Sequence, residues 1–133
     1  MIVSTDKTKL DRKLIYTFLE KSYWAKGRSR DDIDISIENS VSFGLYDKGK
    51  QIGFARVLTD YSVFAYIMDV FIIESQQGRG YGKFLMDHIM NFPSFSRVNT
   101  WALGTSTAHD LYRKYGFELI SNPENMMRKI LNS

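Results

Sequence analysis

A chain of 133 residues, 44% hydrophobic and 25% charged, has the balance of one globular domain spanning residues 1–133. Without a cysteine it holds no disulfide framework, no zinc–cysteine site and no cysteine nucleophile, and it suits a reducing cytoplasm. The net charge of +3 comes with no Lys/Arg-rich block, so no nucleic-acid partner is expected; Met1 to Lys7 has no apolar core of a signal peptide, and no stretch is long enough to span a membrane.

Residues 2–4 suit a short first strand. Apolar residues at 10, 14, 15, 18 and 19 predict an amphipathic helix ending near Ser22. Tyr23 to Arg28 reads as a loop with two aromatics and two cations. Ser29-x-x-Asp32 resembles a capping box, and Ile33, Ile37 and Val41 then share one helical face. Val41 to Tyr46 and Gln51 to Leu58 predict two strands joined by a hairpin at Asp47-Lys48-Gly49-Lys50. A turn at Thr59 to Ser62 leads into Val63 to Ile73, apolar without alternation and therefore covered on both faces. A helix from Lys83 ends at Asn91 and Pro93. Arg97 to Leu103 is strand-like, and Ala108, Leu111, Tyr112 and Tyr115 form a helical stripe closed by Gly116. Phe117 to Ile120 and Met126 to Ile130 are final strand candidates. The order β-α-α-β-β-β-α-β-α-β-β specifies an α/β (α+β) fold with a mixed, mostly antiparallel sheet.

The turn between the long apolar strand and the helix after it carries Gln77-Gly78-Arg79-Gly80-Tyr81-Gly82-Lys83. A strand that delivers a glycine-rich, basic turn to a helix N-terminus builds an anion site, because the first N–H groups lack intrahelical partners and the helix dipole favours negative charge. It is no P-loop, since Phe84 stands where a hydroxyl residue would hold magnesium. Nor is it a dinucleotide fingerprint, whose third glycine would fall at Lys83.

Gln77-x-x-Gly80-x-Gly82 after Asp69-Val70-Phe71-Ile72 resembles the acetyl-CoA signature of the GNAT superfamily of N-acetyltransferases. A second motif, Ala108-x-x-Leu111-Tyr112-x-x-x-Gly116-Phe117, is similar to that family's, and the element order matches throughout. The runs Tyr23-Trp24-Ala25-x-Gly27-Arg28 and Gly53-Phe54-Ala55-Arg56-Val57 further resemble a bacterial subgroup of mostly unassigned substrate.

The resemblance implies a single GNAT-like domain whose fourth and fifth strands splay around Phe71 and Trp101. It implies acetyl transfer from acetyl-CoA to a primary amine of a small molecule or peptide in a ternary complex, in a cytoplasmic monomer or homodimer with no metal. Val70, Phe71 and Ile72 would offer main-chain groups to the pantetheine arm, and Gln77, Gly78, Arg79, Gly80, Tyr81, Gly82 and Lys83 would hold the pyrophosphate. Thr105 stands where many members have an asparagine contacting the cofactor. Tyr112 matches the tyrosine that protonates the leaving sulfur; the alternative is an amphipathic side chain with its ring in the core.

The base is open. The position of a glutamate found in some members is Tyr66 here. Asp69, the one charge in the apolar run, is either catalytic or structural. With Thr59 to Ser62 as the turn, Arg56 falls opposite Ala65 rather than Asp69. His109, one turn before Tyr112, is a base, a relay or a surface residue. Tyr23, Trp24, Arg28, Arg56, Tyr66 and Trp101 are candidates for acceptor contact, Trp24, Arg28 and Tyr66 foremost, with core packing the alternative for Trp101 and Tyr66. A non-catalytic acyl-CoA binding module on the same fold is the alternative function.

Overall fold

The structure is a computed structural model describing residues 1–131. Five strands form one sheet in sequential order: β1 (Ile2–Ser4), β2 (Val41–Asp47), β3 (Lys50–Thr59), β4 (Phe64–Ile72) and β5 (Thr100–Leu103). The first three pairings are antiparallel and β4–β5 is parallel. The helices are α1 (Arg12–Lys21), α2 (Arg30–Glu38), α3 (Tyr81–Met90) and α4 (His109–Arg113).

Local chemistry explains most boundaries. Asp11 caps α1 by accepting from the Leu14 N–H, and Ser29 caps α2 by accepting from the Asp32 N–H. Lys48 and Gly49, at φ 52° and 79°, supply the paired left-handed residues of a tight hairpin turn. Asp60 turns β3 into β4 by accepting from the N–H groups of Ser62, Val63 and Phe64. Val41 opens β2 rather than extending the α2 face, because α2 stops at Glu38.

Each face of the sheet has its own core. On one, Leu85, Met86 and Ile89 of α3 meet Phe43, Ala55, Val57 and Ile67. On the other, Ile15, Leu19, Ile33 and Ile37 of α1 and α2 meet Phe54 and Phe71. Each such fully buried aliphatic side chain contributes about 1.5–3 kcal/mol through removal from water. Phe71 also stacks on Phe18, with ring centroids 4.0 Å apart.

A bulge in β4 makes this double use possible. Arg56 pairs with Met68 and Phe54 with Phe71, so two residues of β4 oppose Ala55 alone. Asp69 sits there at φ 54°, a left-handed conformation that aspartate tolerates better than most residues. The extra residue reverses the alternation: Ala65 and Ile67 face the α3 core, whereas Phe71 faces the α1–α2 core.

Two expectations are corrected. Phe117 to Ile120 and Met126 to Ile130 form no strands; the segment holds only a single 3-10 turn at Pro123–Asn125 and exposes Leu119, Ile120, Met126 and Met127. Among the described residues no strand pairs with the outer edge of β5, so the segment has no ladder to extend. The splay lies beyond Ile67 and Leu103, the last β4–β5 pair, and not at Trp101, which pairs with Ala65 and packs edge-to-face on Phe95.

Candidate active site

β4 runs five residues past its last partner on β5, from Met68 to Ile72, so the sheet opens there into a cleft of about 490 Å3. Its walls include Trp24 and Arg28 from the loop after α1, Tyr66, Asp69 and Val70 from β4, Thr105 and Tyr112 beyond β5, and Arg128 from the C-terminal segment. Tyr23 reaches across: the Ser106 hydroxyl donates to the Tyr23 hydroxyl at 2.5 Å, tying the loop after α1 to the loop after β5.

Asp69 is the centre of this wall. Its Oδ2 accepts from Arg56 Nε at 2.7 Å and from Arg28 Nη1 at 2.8 Å, and its Oδ1 accepts from Trp24 Nε1 at 2.9 Å. Its side chain is 1% exposed. Burial pushes the carboxyl up, but the hydrogen bond and charge of Arg56, the charge of Arg28 and the Trp24 bond outweigh it and hold the group below the ordinary carboxylate value. The Arg56 contact corrects the expected register. The turn is longer than Thr59 to Ser62, since Thr59 itself pairs with Ala65, and Arg56 then faces Met68, next to Asp69. Arg56 and Asp69 are the charged residues inside otherwise apolar strands, so matching charge rather than register finds this pair.

Tyr112 is buried, with its ring edge-on to Phe117 at 6.1 Å. Burial, then the neighbouring Tyr23, pushes its hydroxyl above the usual phenol value, so it stays protonated at neutral pH. It lines both the cleft and a second groove between β5 and the C-terminal segment; His109 lines only that second groove. The Thr105 hydroxyl accepts from the Ala108 N–H at 3.0 Å, so it braces the turn that leads into α4, whose own first turn has no side-chain cap.

At the far end of β4, Gly78 and Gly80 take φ 77° and 82°, and Gly80 is the N-cap of α3 with no side chain capping it. The first-turn N–H groups of Tyr81, Gly82 and Lys83 are therefore left for an outside acceptor. Gln77 Nε2 donates to the Ile72 carbonyl at 2.8 Å and ties the turn back to β4. Arg79 and Lys83 are exposed, bonded to Gln76 and Asp87 on the same face of the turn. Open main-chain donors, a helix dipole and two cations fit a pyrophosphate. Val70, Phe71 and Ile72 lie beyond the last β5 partner of β4, where that edge of the strand is unpaired, and they lead from the cleft to the turn. The structure thus groups Trp24, Arg28, Tyr66, Asp69, Thr105 and Tyr112 around one opening and sets Gln77 to Lys83 apart, beyond the end of β4.

The model of the acetyltransferase (GNAT) domain matches residues 38–119. The chain belongs to the GNAT family. A crystal structure from Xanthomonas campestris pv. campestris, of a protein described as belonging to the GNAT family, is 40% identical, covers 98% of this chain and 92% of its own, and superposes with a TM-score of 0.93. An N-acetyltransferase of Gracilaria tenuistipitata var. liui, ycf52, itself uncharacterised, is 35% identical over 109 residues, which span 77% of this chain and 58% of that relative. A Clostridium acetobutylicum structure solved with acetyl-CoA shares the fold at 17% identity, with a TM-score of 0.66 over 90% of this chain and 91% of that one. Among the described residues of this GNAT chain no helix is long and apolar enough to cross a membrane.

Proposed function

We propose that this chain transfers an acetyl group from acetyl-CoA to a primary amine of a small molecule or peptide, by direct attack in a ternary complex. The observation that carries the reading is the opening of the sheet beyond Ile67 and Leu103, with Tyr112 on its wall and the bare N-terminus of α3 beyond it. Acetyl-CoA would supply an activated thioester. Tyr81, Gly82 and Lys83 would bind its pyrophosphate through main-chain N–H groups, with Arg79 and Lys83 adding charge. The unpaired edge of β4 at Val70 to Ile72 would align its pantetheine arm as an added strand does.

Tyr112 is the proton donor to the leaving sulfur in this reading, and its raised pKa keeps the proton in place until it is needed. Asp69 is an anchor rather than a base: both its oxygens are engaged by arginine and tryptophan donors. His109 lies in the groove on the other side of Tyr112 and is not the base either. Water in the cleft removes the amine proton.

The test is thiol release from acetyl-CoA over a panel of amines, peptides and aminoglycosides. Turnover above acetyl-CoA hydrolysis with at least one amine is expected. Tight acetyl-CoA binding without turnover on any amine would favour the alternative, a binding module, which the lack of a free carboxylate among the cleft residues also suits. No binding at millimolar acetyl-CoA would remove both readings.

A further inference from the structure

The cleft carries a charge that acetyl transfer alone does not explain. Among the described residues Asp69 is the sole carboxylate lining it, and it faces two guanidiniums, Arg56 at 2.7 Å and Arg28 at 2.8 Å. That pairing leaves one positive charge in excess, and Arg128 lines the same cleft. Arg56 is buried and committed, with Nε on Asp69 and Nη1 on the Ser40 hydroxyl. Arg28 differs: its side chain is 22% exposed, and its one side-chain bond among the described residues is from Nη1 to Asp69. A guanidinium has five N–H donors, so most of this one faces the cleft unspent.

Excess positive charge at a partly buried site costs free energy until an anion balances it. A planar fork with free donors matches a carboxylate, often in two parallel bonds. We infer that the acceptor is an amine that also carries a carboxylate, and that Arg28, held in place by Asp69, receives that carboxylate. The inference rests on the acetyl-transfer reading and narrows its substrate to amino-acid-like amines. A polyamine or an aminoglycoside would bring like charge to a cleft whose only lining carboxylate is already taken.

The same charge bears on the chemistry. An ammonium close to two guanidiniums loses its proton more readily than it does in water. An acceptor seated by its carboxylate on Arg28 therefore presents its amine where the neutral, nucleophilic form is favoured, and no dedicated base is required. The balance closes: the ammonium gives one proton to water, the neutral nitrogen gains the acetyl carbon and gives up a second proton, the C–S bond breaks, and Tyr112 protonates the sulfur and is reprotonated through the cleft water that took the second proton.

The experiment measures thiol release by the full chain with free amino acids, their carboxamides, carboxyl-blocked peptides bearing Asp or Glu, and polyamines. A carboxylate substrate should exceed its carboxamide in kcat/KM by at least ten-fold, about 1.4 kcal/mol. Free amino acids against blocked acidic peptides distinguish an α-carboxylate from a side-chain one. Arg28→Gln should raise KM for the carboxylate substrate at least ten-fold with a smaller change in kcat, and lower kcat/KM for the carboxamide by much less than for the carboxylate. Arg28→Lys, which keeps the charge and loses the fork, should fall between them. Carboxamides or polyamines used as well as carboxylates overturn the inference while transfer itself stands. If no amine is turned over, calorimetric titration of the same amino acids and carboxamides onto the chain loaded with coenzyme A decides: Arg28-dependent preference for the carboxylate upholds the docking and sinks transfer, and no preference sinks both.

Discussion

The two ends of the proposed site, the cleft beside Asp69 and the glycine turn beyond β4, are built on opposite plans. At the α3 end the groups that matter are main-chain N–H donors, left open because Gly80 caps the helix without a side chain. At the Asp69 end the groups are side chains, and both carboxylate oxygens are taken. The first arrangement waits for charge from outside. The second holds Trp24 and Arg28 in fixed positions around a buried ion pair. In the proposed reading, the grip on a common cofactor is made from backbone, whereas the wall assigned to the acceptor is made from residues that differ in chemistry.

Breaking the closed end should have the largest effect. Asp69→Asn keeps a residue that tolerates φ 54° but strands the buried Arg56, which should cost about 3–5 kcal/mol in urea unfolding. A loss under 1 kcal/mol would mean that water already screens the pair. The pH dependence has a definite sign. Since the Asp69 carboxyl is held below its ordinary 3.8, its stabilisation is full above about pH 4 and is lost as pH falls through the lower folded value. Acid titration of unfolding should show this component in the native chain and not in Asp69→Asn.

Breaking the open end should spare the fold and remove the cofactor. At Gly80 a Cβ would meet nothing within 4 Å, so Gly80→Asp pays only the left-handed backbone cost, about 1 kcal/mol, while setting a carboxylate against the pyrophosphate. Calorimetry should show affinity for acetyl-CoA reduced at least about 100-fold; unchanged affinity would place the anion elsewhere. Between the two ends, Tyr112→Phe should lower kcat about 100-fold with little change in cofactor affinity. Intact turnover in that variant ends its role as the acid. The smallest effect belongs to Thr105→Ala, about 1 kcal/mol of stability through the lost hydrogen bond from the Ala108 N–H, with cofactor affinity unchanged. A clear affinity loss would show that the hydroxyl also serves the cofactor.

The contrast between the ends also separates what the sequence reveals from what it hides. The glycine turn, the Ser29 cap and the Lys48–Gly49 hairpin are local, each written within a few neighbouring residues, and each is legible. The cluster around Asp69 joins residues 24, 28, 56 and 69, and its decisive contact depends on a bulge that shifts register by one. Register counted from the turn placed Arg56 against Ala65 because the longer turn, Asp60 to Val63 with Phe64, does not show in the pattern of apolar side chains; the bulge lies beyond the Arg56–Met68 pair and leaves its register unchanged. The last two strands failed for a different reason. Phe117 to Ile130 has strand-like composition, but a strand exists only in a ladder, and composition does not say whether a partner is taken; among the described residues no strand pairs with the outer edge of β5.

The extra residue at position 69 ties the length of β4 to its orientation. Deleting Asp69 alone would close the bulge and leave Val70, Phe71 and Ile72 on the faces they occupy now, because Val70 alone would then oppose Ala55. Deleting Val70 as well would set Phe71 directly after Met68, turn it to the opposite face and take it from its stack on Phe18. Loss of the one extra residue is therefore a change of reach, while loss of two is a change of face for everything downstream. A deletion series through β4, scored by folded yield, should show that parity: Asp69 and Val70 removed together should lower yield more than Asp69 removed alone, and equal yields would show that the two quantities are independent.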